Sequence, residues 1–233
     1  MNIIVTGASR GIGLEIVKAL AATNHSIFAV SRNIKALMYL EGVCRKIHEQ
    51  CKVYTVPFDL ESGDYNRELL PNIIGKEERI DVLINNAGAM INKPFIEVSD
   101  QEFDRVFSVN VKAPFKMIRA LFPHFRKNAH IVNIGSMGGF PGSIKFPGLS
   151  VYSASKGALA TLTEALAEEF KDKGIRVNCL ALGAARTEML AEAFPDYNAP
   201  LSAGEMAVFI SDFALTGHKY FNGKVLPVAV STP

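Results

Sequence analysis

Short apolar runs rich in Val and Ile recur along the chain, at residues 3–5, 27–30, 53–58, 82–84, 131–134, 177–180 and 225–230. Each is bounded by turn residues and too short for a buried helix, so each predicts a strand. Between them, apolar residues fall at three and four spacing, most clearly over 12–22, 102–125 and 153–170. That spacing gathers them on one face of a helix. Strand, helix, strand in repetition means parallel strands joined by crossover helices. The expected fold class is α/β: a single doubly wound, Rossmann-like domain over residues 1–233, with about seven parallel strands and helices on both faces. No repeat, low-complexity tract or long linker interrupts the pattern, and the length suits one domain.

Composition narrows the partners. With 48% hydrophobic and 21% charged residues, the chain reads as globular, neither disordered nor membrane-spanning. A net charge of +2, with Lys and Arg scattered, gives no electrostatic support for nucleic acid or an anionic membrane. Cys44, Cys51 and Cys179 have neither an even count nor a paired spacing, which reads as reduced thiols. His25, His48, His124, His130 and His218 make no metal-ligand spacing either. A first strand beginning at Asn2 leaves no room for a leader, so the expected compartment is the cytoplasm.

In an open parallel sheet, ligands bind beyond the carboxyl ends of the strands, and there the unusual residues lie. After the first strand comes Thr6-Gly7-Ala8-Ser9-Arg10-Gly11-Ile12-Gly13, leading straight into a helix. Strand, glycine turn and helix N-terminus form a cradle for dinucleotide phosphates. Glycines here allow a sharp turn, close backbone approach to pyrophosphate and tight helix packing. After the second strand, Ala29-Val30-Ser31-Arg32-Asn33 contains no acid, where NAD binding would place one on the adenosine ribose. Ser31 leaves room for a 2′-phosphate, and Arg32 and Arg10 are placed to approach it with planar, bidentate donors. The expected cofactor is NADP(H) in preference to NAD(H).

The TGxxxGxG spacing of that loop resembles the short-chain dehydrogenase/reductase family. The same resemblance continues in Asn85-Asn86-Ala87-Gly88, in Asn110 within Val109-Asn110-Val111, and in Ser136. It extends through Tyr152 and Lys156, which form YxxxK, to Gly183 and Thr187. It implies cofactor contacts from Gly7, Ser9, Arg10, Gly11, Ile12, Gly13, Arg32, Asp59, Leu60, Asn86, Ala87, Gly88, Tyr152, Lys156, Gly183 and Thr187, with Asp59 at the adenine. It implies Asn110, Ser136, Tyr152 and Lys156 as the catalytic set, Lys156 also holding the nicotinamide ribose and Asn110 supporting a water relay. Tyr152 and Lys156 are four apart and project from one helix face. A free phenol has a pKa of about 10, and a neighbouring ammonium stabilises its phenolate. In the reductive direction Tyr152 donates a proton to the carbonyl oxygen as hydride arrives from the nicotinamide, with Ser136 holding that oxygen.

The chain also departs from the family's pattern. Ser136 and Tyr152 are sixteen positions apart, longer than usual, which points to an altered substrate entrance or a neutral surface bulge. Leu182-Gly183 stands where the family has Pro-Gly, removing one backbone restraint. The stretch between Thr187 and a helix near Ser202 is short, suggesting a small lid, and the tail from Leu226 to Pro233 lacks the glycine pair of many relatives. The helices over 102–125 and 153–170 match the family's dimer contact. The small residues Ala154, Gly157, Ala158, Ala160 and Ala165 suit either helix approach or packing on the sheet, and a homodimer or homotetramer is expected. The expected partner is a small carbonyl or alcohol. The alternatives are a catalytically silent dinucleotide sensor, which would be expected to lack one of the four catalytic side chains, and an isomerase or dehydratase, which a short chain disfavours.

Overall fold

Strand and helix alternate as β1 (Asn2–Thr6), α1 (Gly11–Ala21), β2 (Ser26–Ser31), α2 (Ile34–Ile47), β3 (Lys52–Pro57), α3 (Leu70–Ile74), β4 (Ile80–Asn85), α4 (Asp100–Phe107) and α5 (Ala113–Leu121). The second half continues with β5 (Phe125–Ile134), α6 (Ser150–Glu169), β6 (Arg176–Leu182), β7 (Ala185–Arg186), α7 (Glu188–Ala193), β8 (Leu201–Ser202), α8 (Ala203–Thr216) and β9 (Val225–Val228). This computed structural model describes residues 1–230. Seven strands form one parallel sheet in the order β3-β2-β1-β4-β5-β6-β9. This is the doubly wound architecture expected from the sequence.

Alternation along β1 shows why the sheet carries helices on both faces. Ile3 and Val5 join one core layer with Ile16 and Leu20 of α1, Leu37 and Leu40 of α2, and Met206 and Ile210 of α8. Ile4 joins the other, with Ile73 of α3, Met117 and Leu121 of α5, and Ala167 of α6. A strand buried on both faces reads as an unbroken apolar run, which is the signal the sequence carried.

Several elements differ from expectation, among them β5, which begins at Phe125 rather than at 131. Residues 102–125 are not one helix: α4 and α5 are separated by a wide, π-type turn at Ser108–Lys112. The apolar spacing continues through that turn, so periodicity does not reveal it. β9 stops at Val228, two residues short of the expected run, and Ser231, Thr232 and Pro233 of the tail lie outside the described residues. A two-residue parallel pairing of β7 with β8 has no counterpart among the expected strands.

β1 lies between β2 and β4. The chain winds outward to β3 and then crosses back to β4, so the connections diverge at the carboxyl ends of β1 and β4, the switch point where doubly wound sheets bind ligands. Behind this point, the buried Asn85 donates to Asn133 (2.8 Å), and Asn133 donates to Thr163 Oγ1 of α6 (2.9 Å). The chain ends in a bond from Thr163 to the Leu159 carbonyl (2.8 Å). Buried polar groups persist in a core when paired in this way.

His130, on β5, is fully buried. Its Nδ1 lies 3.0 Å from the Ala214 carbonyl and its Nε2 3.0 Å from Asn178 Nδ2. Both contacts are satisfied by a neutral ring with the proton on Nδ1. Burial pulls its pKa down to about 4 from the ordinary 6.5, opposed by the Ala214 carbonyl. Between those values the unfolded chain binds a proton that the folded chain refuses. Stability present above pH 6.5 is therefore lost as pH falls towards 4, by up to about 3 kcal/mol. Urea unfolding at pH 7 and pH 4.5 checks this, with His130→Gln expected to flatten the pH dependence. An unchanged slope in that variant would assign the loss to other groups.

Candidate active site

The turn after β1 is built backbone against backbone. Gly7 (φ 69) and Gly11 (φ 54) adopt left-handed conformations that side chains disfavour. A Cβ on Gly7 would lie 2.8 Å from Ala87 Cα, and one on Gly13 would collide with the Gly7 carbonyl oxygen and Asn86 Nδ2. Asn86 donates to the carbonyls of Thr6 (3.0 Å) and Gly7 (3.3 Å), while Thr6 Oγ1 accepts the amides of Asn86 and Ala87, each at 3.1 Å. The β1 and β4 turns are thereby stitched together. α1 begins at this junction without a side-chain cap and with no acid in its first turn. The orphan amides of a helix start, together with its dipole, favour an anion, so this cradle fits the phosphates of a dinucleotide.

The adenosine-side candidates are engaged with the protein itself. Ser31 is buried at the end of β2. Arg32 pairs with Glu61 (3.3 Å), and Arg10 pairs with Glu192 of α7 (2.7 Å). Asp59 accepts the Glu61 amide (3.0 Å) and the Ser62 hydroxyl (2.9 Å), and the Leu60 carbonyl accepts the Tyr65 hydroxyl (2.8 Å). Ser9 and Ile12, in the same loop, are partly buried. On the far side, the Gly183 amide donates to Val228 (2.8 Å), and a Cβ there would lie 2.8 Å from Ala229 Cβ. Packing at the end of β9 thus requires glycine at 183. Thr187 caps α7, its hydroxyl accepting the Leu190 amide (3.2 Å). A Cβ on Gly11 would lie 3.5 Å from both Thr187 and Glu188, so α7 starts beside the glycine loop.

Ser136 follows β5, and Tyr152 and Lys156 occupy the first two turns of α6. Ser136 Oγ accepts the Gly138 amide at 3.1 Å. Tyr152 is partly buried, with Lys156 Nζ 5.8 Å from its ring centroid. Burial pushes the phenol pKa up, opposed by the hydroxyl of Ser136, so the phenol stays protonated at neutral pH. Lys156 is buried and donates to the Ile134 carbonyl at 2.7 Å. Burial draws its pKa down to about 8, opposed by Cys179.

Asn110 sits in the wide turn between α4 and α5, fully buried. Its side chain accepts the Ala89 amide (2.8 Å) and donates to the Ala89 carbonyl (2.9 Å) and to Ser155 Oγ (2.9 Å). A Cβ on Gly88 would lie 3.5 Å from Asn110 Oδ1 and 3.6 Å from Lys156 Nζ. The amide and the ammonium therefore face one small space beside Gly88.

The longer stretch between Ser136 and Tyr152 contributes to the rim. Gly148 accepts the Lys93 amide (3.0 Å), and Asn92 reaches the Ala193 carbonyl at the end of α7 (2.8 Å). A cavity of about 680 Å³ opens here among Pro94, Phe95, Phe140, Pro141, Phe146 and Pro147. It runs along Ser153 and Ala154 of α6, and Tyr152 is not among its lining residues.

Sequence reasoning placed the glycine loop, the 86–88 turn, Asn110, Ser136, Tyr152 and Lys156 at the carboxyl edge of one sheet, and the structure brings them together there. It missed Ser155, which shares the Asn110 amide, and the carboxylates of Glu61 and Glu192. Their only mark was charge, on residues distant in sequence from the arginines they meet.

A family model described as short chain dehydrogenase matches residues 1–198. The chain belongs to that family. It is 32% identical to Carbonyl reductase [NADPH] 2 of Sus scrofa over 181 residues, covering 76% of this chain and 69% of that protein. It is 34% identical to Gluconate 5-dehydrogenase of Gluconobacter oxydans over 195 residues, covering 83% and 74%. Among solved structures, a short-chain dehydrogenase/reductase from Serratia marcescens superposes with a TM-score of 0.87 at 26% identity, covering 97% of this chain and 95% of that one. The chain is thus an oxidoreductase of the nicotinamide-dependent kind, acting on CH–OH and C=O groups. Among the described residues, no helix is long and apolar enough to cross a membrane.

Proposed function

We propose that this enzyme is an NADPH-preferring carbonyl reductase, or alcohol dehydrogenase in reverse, with Tyr152 as its general acid. The observation that carries the reading is the placement of Ser136 after β5 and of Tyr152 and Lys156 in the first two turns of α6, with Lys156 Nζ beside Gly88 in the turn that packs on the glycine loop. A protonated phenol suits donation to a carbonyl oxygen, and Ser136 presents a hydroxyl to the same oxygen. Lys156 places positive charge near the phenol ring and would hold the nicotinamide ribose, while Asn110 fixes the turn at Ala89. The bound cofactor supplies the hydride. The orphan amides at the start of α1 would hold its pyrophosphate, and Asp59 with Leu60 would border its adenine. Within α6, Ala154 and Ala165 are exposed whereas Ala160 is buried, which leaves a small-residue face for a second copy and supports a homodimer.

NADPH oxidation across a panel of ketones, aldehydes and sugars tests the activity. For the cofactor, Ser31→Asp combined with Arg32→Ala is expected to swing preference towards NADH by about ten- to a hundredfold, because a carboxylate replaces a charge-assisted phosphate contact. Direct titration reads both affinities. Tighter binding of NADH than NADPH by the unmodified protein would overturn the cofactor assignment and leave the reductase reading standing.

A further inference from the structure

Resting on that reading, we infer that Glu192 is a specificity-determining residue: it competes with the cofactor's 2′-phosphate for Arg10 and couples phosphate binding to the position of α7. Arg10 is the N-cap of α1 and contributes no capping bond from its side chain. That side chain instead spans 182 positions of sequence to Glu192, at 2.7 Å. Arg32, the other arginine near the expected 2′-phosphate, is held by Glu61 at 3.3 Å. Each guanidinium thus has an internal carboxylate standing where a phosphate would compete.

The two carboxylates are placed differently. Glu61 belongs to the turn after β3, which Asp59 fixes by accepting its amide. Glu192 belongs to a helix of six residues, held at its end by the bond from Asn92 to Ala193. Arg10 and Glu192 are both largely exposed, with 52% and 64% of their side chains accessible. An exposed ion pair is weak, whereas a phosphate takes a guanidinium through stronger, bidentate, charge-assisted bonds. The exchange therefore runs towards the phosphate, and it leaves Glu192 facing a dianion that repels it. A cofactor without the 2′-phosphate leaves the Arg10–Glu192 pair intact. Because coupling is reciprocal, removing the Glu192 charge strengthens binding of 2′-phosphorylated ligands alone.

The test compares the intact protein with Glu192→Gln and Glu192→Ala. Calorimetric titrations use NADPH, NADH, adenosine 2′,5′-bisphosphate and adenosine 5′-monophosphate. Both variants are expected to bind NADPH and the bisphosphate about two- to fivefold more tightly, with NADH and the monophosphate unchanged. Hydrogen exchange over residues 188–194 is expected to rise in the intact protein on adding NADPH but not NADH, and to be raised in both variants without cofactor. Unaltered NADPH affinity in the variants, equal tightening for NADH, or exchange in α7 indifferent to NADPH would overturn this inference alone. An intact protein that binds neither dinucleotide would overturn the reading beneath it as well.

Discussion

Replacing Tyr152 by Phe is expected to lower turnover by about a hundred to ten thousand fold, the usual effect of losing a general acid. Cofactor affinity is expected to stay within a few-fold. The substitution deletes one hydroxyl and keeps the ring whose centroid lies 5.8 Å from Lys156 Nζ. It removes the hydrogen bond between that hydroxyl and Ser136, while the Gly138 amide still donates to Ser136 Oγ and Lys156 still donates to the Ile134 carbonyl. Steady-state rates on a substrate found in the screen, with cofactor titration on the same preparation, separate the effects. A Phe variant that retains most of its activity would remove Tyr152 from the mechanism.

Lys156→Ala is expected to impair both turnover and cofactor binding. The ammonium is buried and bound to the Ile134 carbonyl, so truncation leaves that acceptor without its donor at a cost of about 1–3 kcal/mol of stability. It also removes the charge behind the phenol, and turnover is expected to fall by about a hundredfold or more. Lys156→Met keeps most of the stem and isolates the charge from the packing. Because burial brings Lys156 to about 8, the ammonium is lost as pH rises through that value, and turnover of the unmodified enzyme is expected to fall with it. Methionine at 156 with unchanged cofactor affinity would confine the role of the lysine to proton chemistry.

The inner strands β1, β2, β4, β5 and β6 were legible because their Val and Ile runs are buried on both faces, whereas the edge strands β3 and β9 are only partly buried and were legible from composition and bounding turns. The glycine loop was legible because backbone contact demands glycine at 7 and 13, and the colliding atoms belong to the same turn or to the neighbouring strand's turn. The wide turn around Asn110 was not, since the apolar spacing passes through it unchanged. Nor was the hydroxyl role of Thr187, which the resemblance places on the cofactor and the structure uses to cap α7. The arginines show the same limit in electrostatic form. Arg10 and Arg32 read as free cations, because a carboxylate partner 182 or 29 positions away leaves no local pattern.

The lacing of the rim bears on how the molecule folds. Asn92 meets Ala193 across 101 positions, and Arg10 meets Glu192 across 182. Contacts between such distant residues carry a large loop-closure entropy until intervening structure brings their ends together. Here that structure is the sheet from β1 through β6, whose strands supply the shared edge from which all three loops rise. The glycine cradle, made largely from contacts among the ends of β1 and β4 and the start of α1, draws on only the first part of the chain. The roof over it is therefore expected to form late, after the sixth strand has docked.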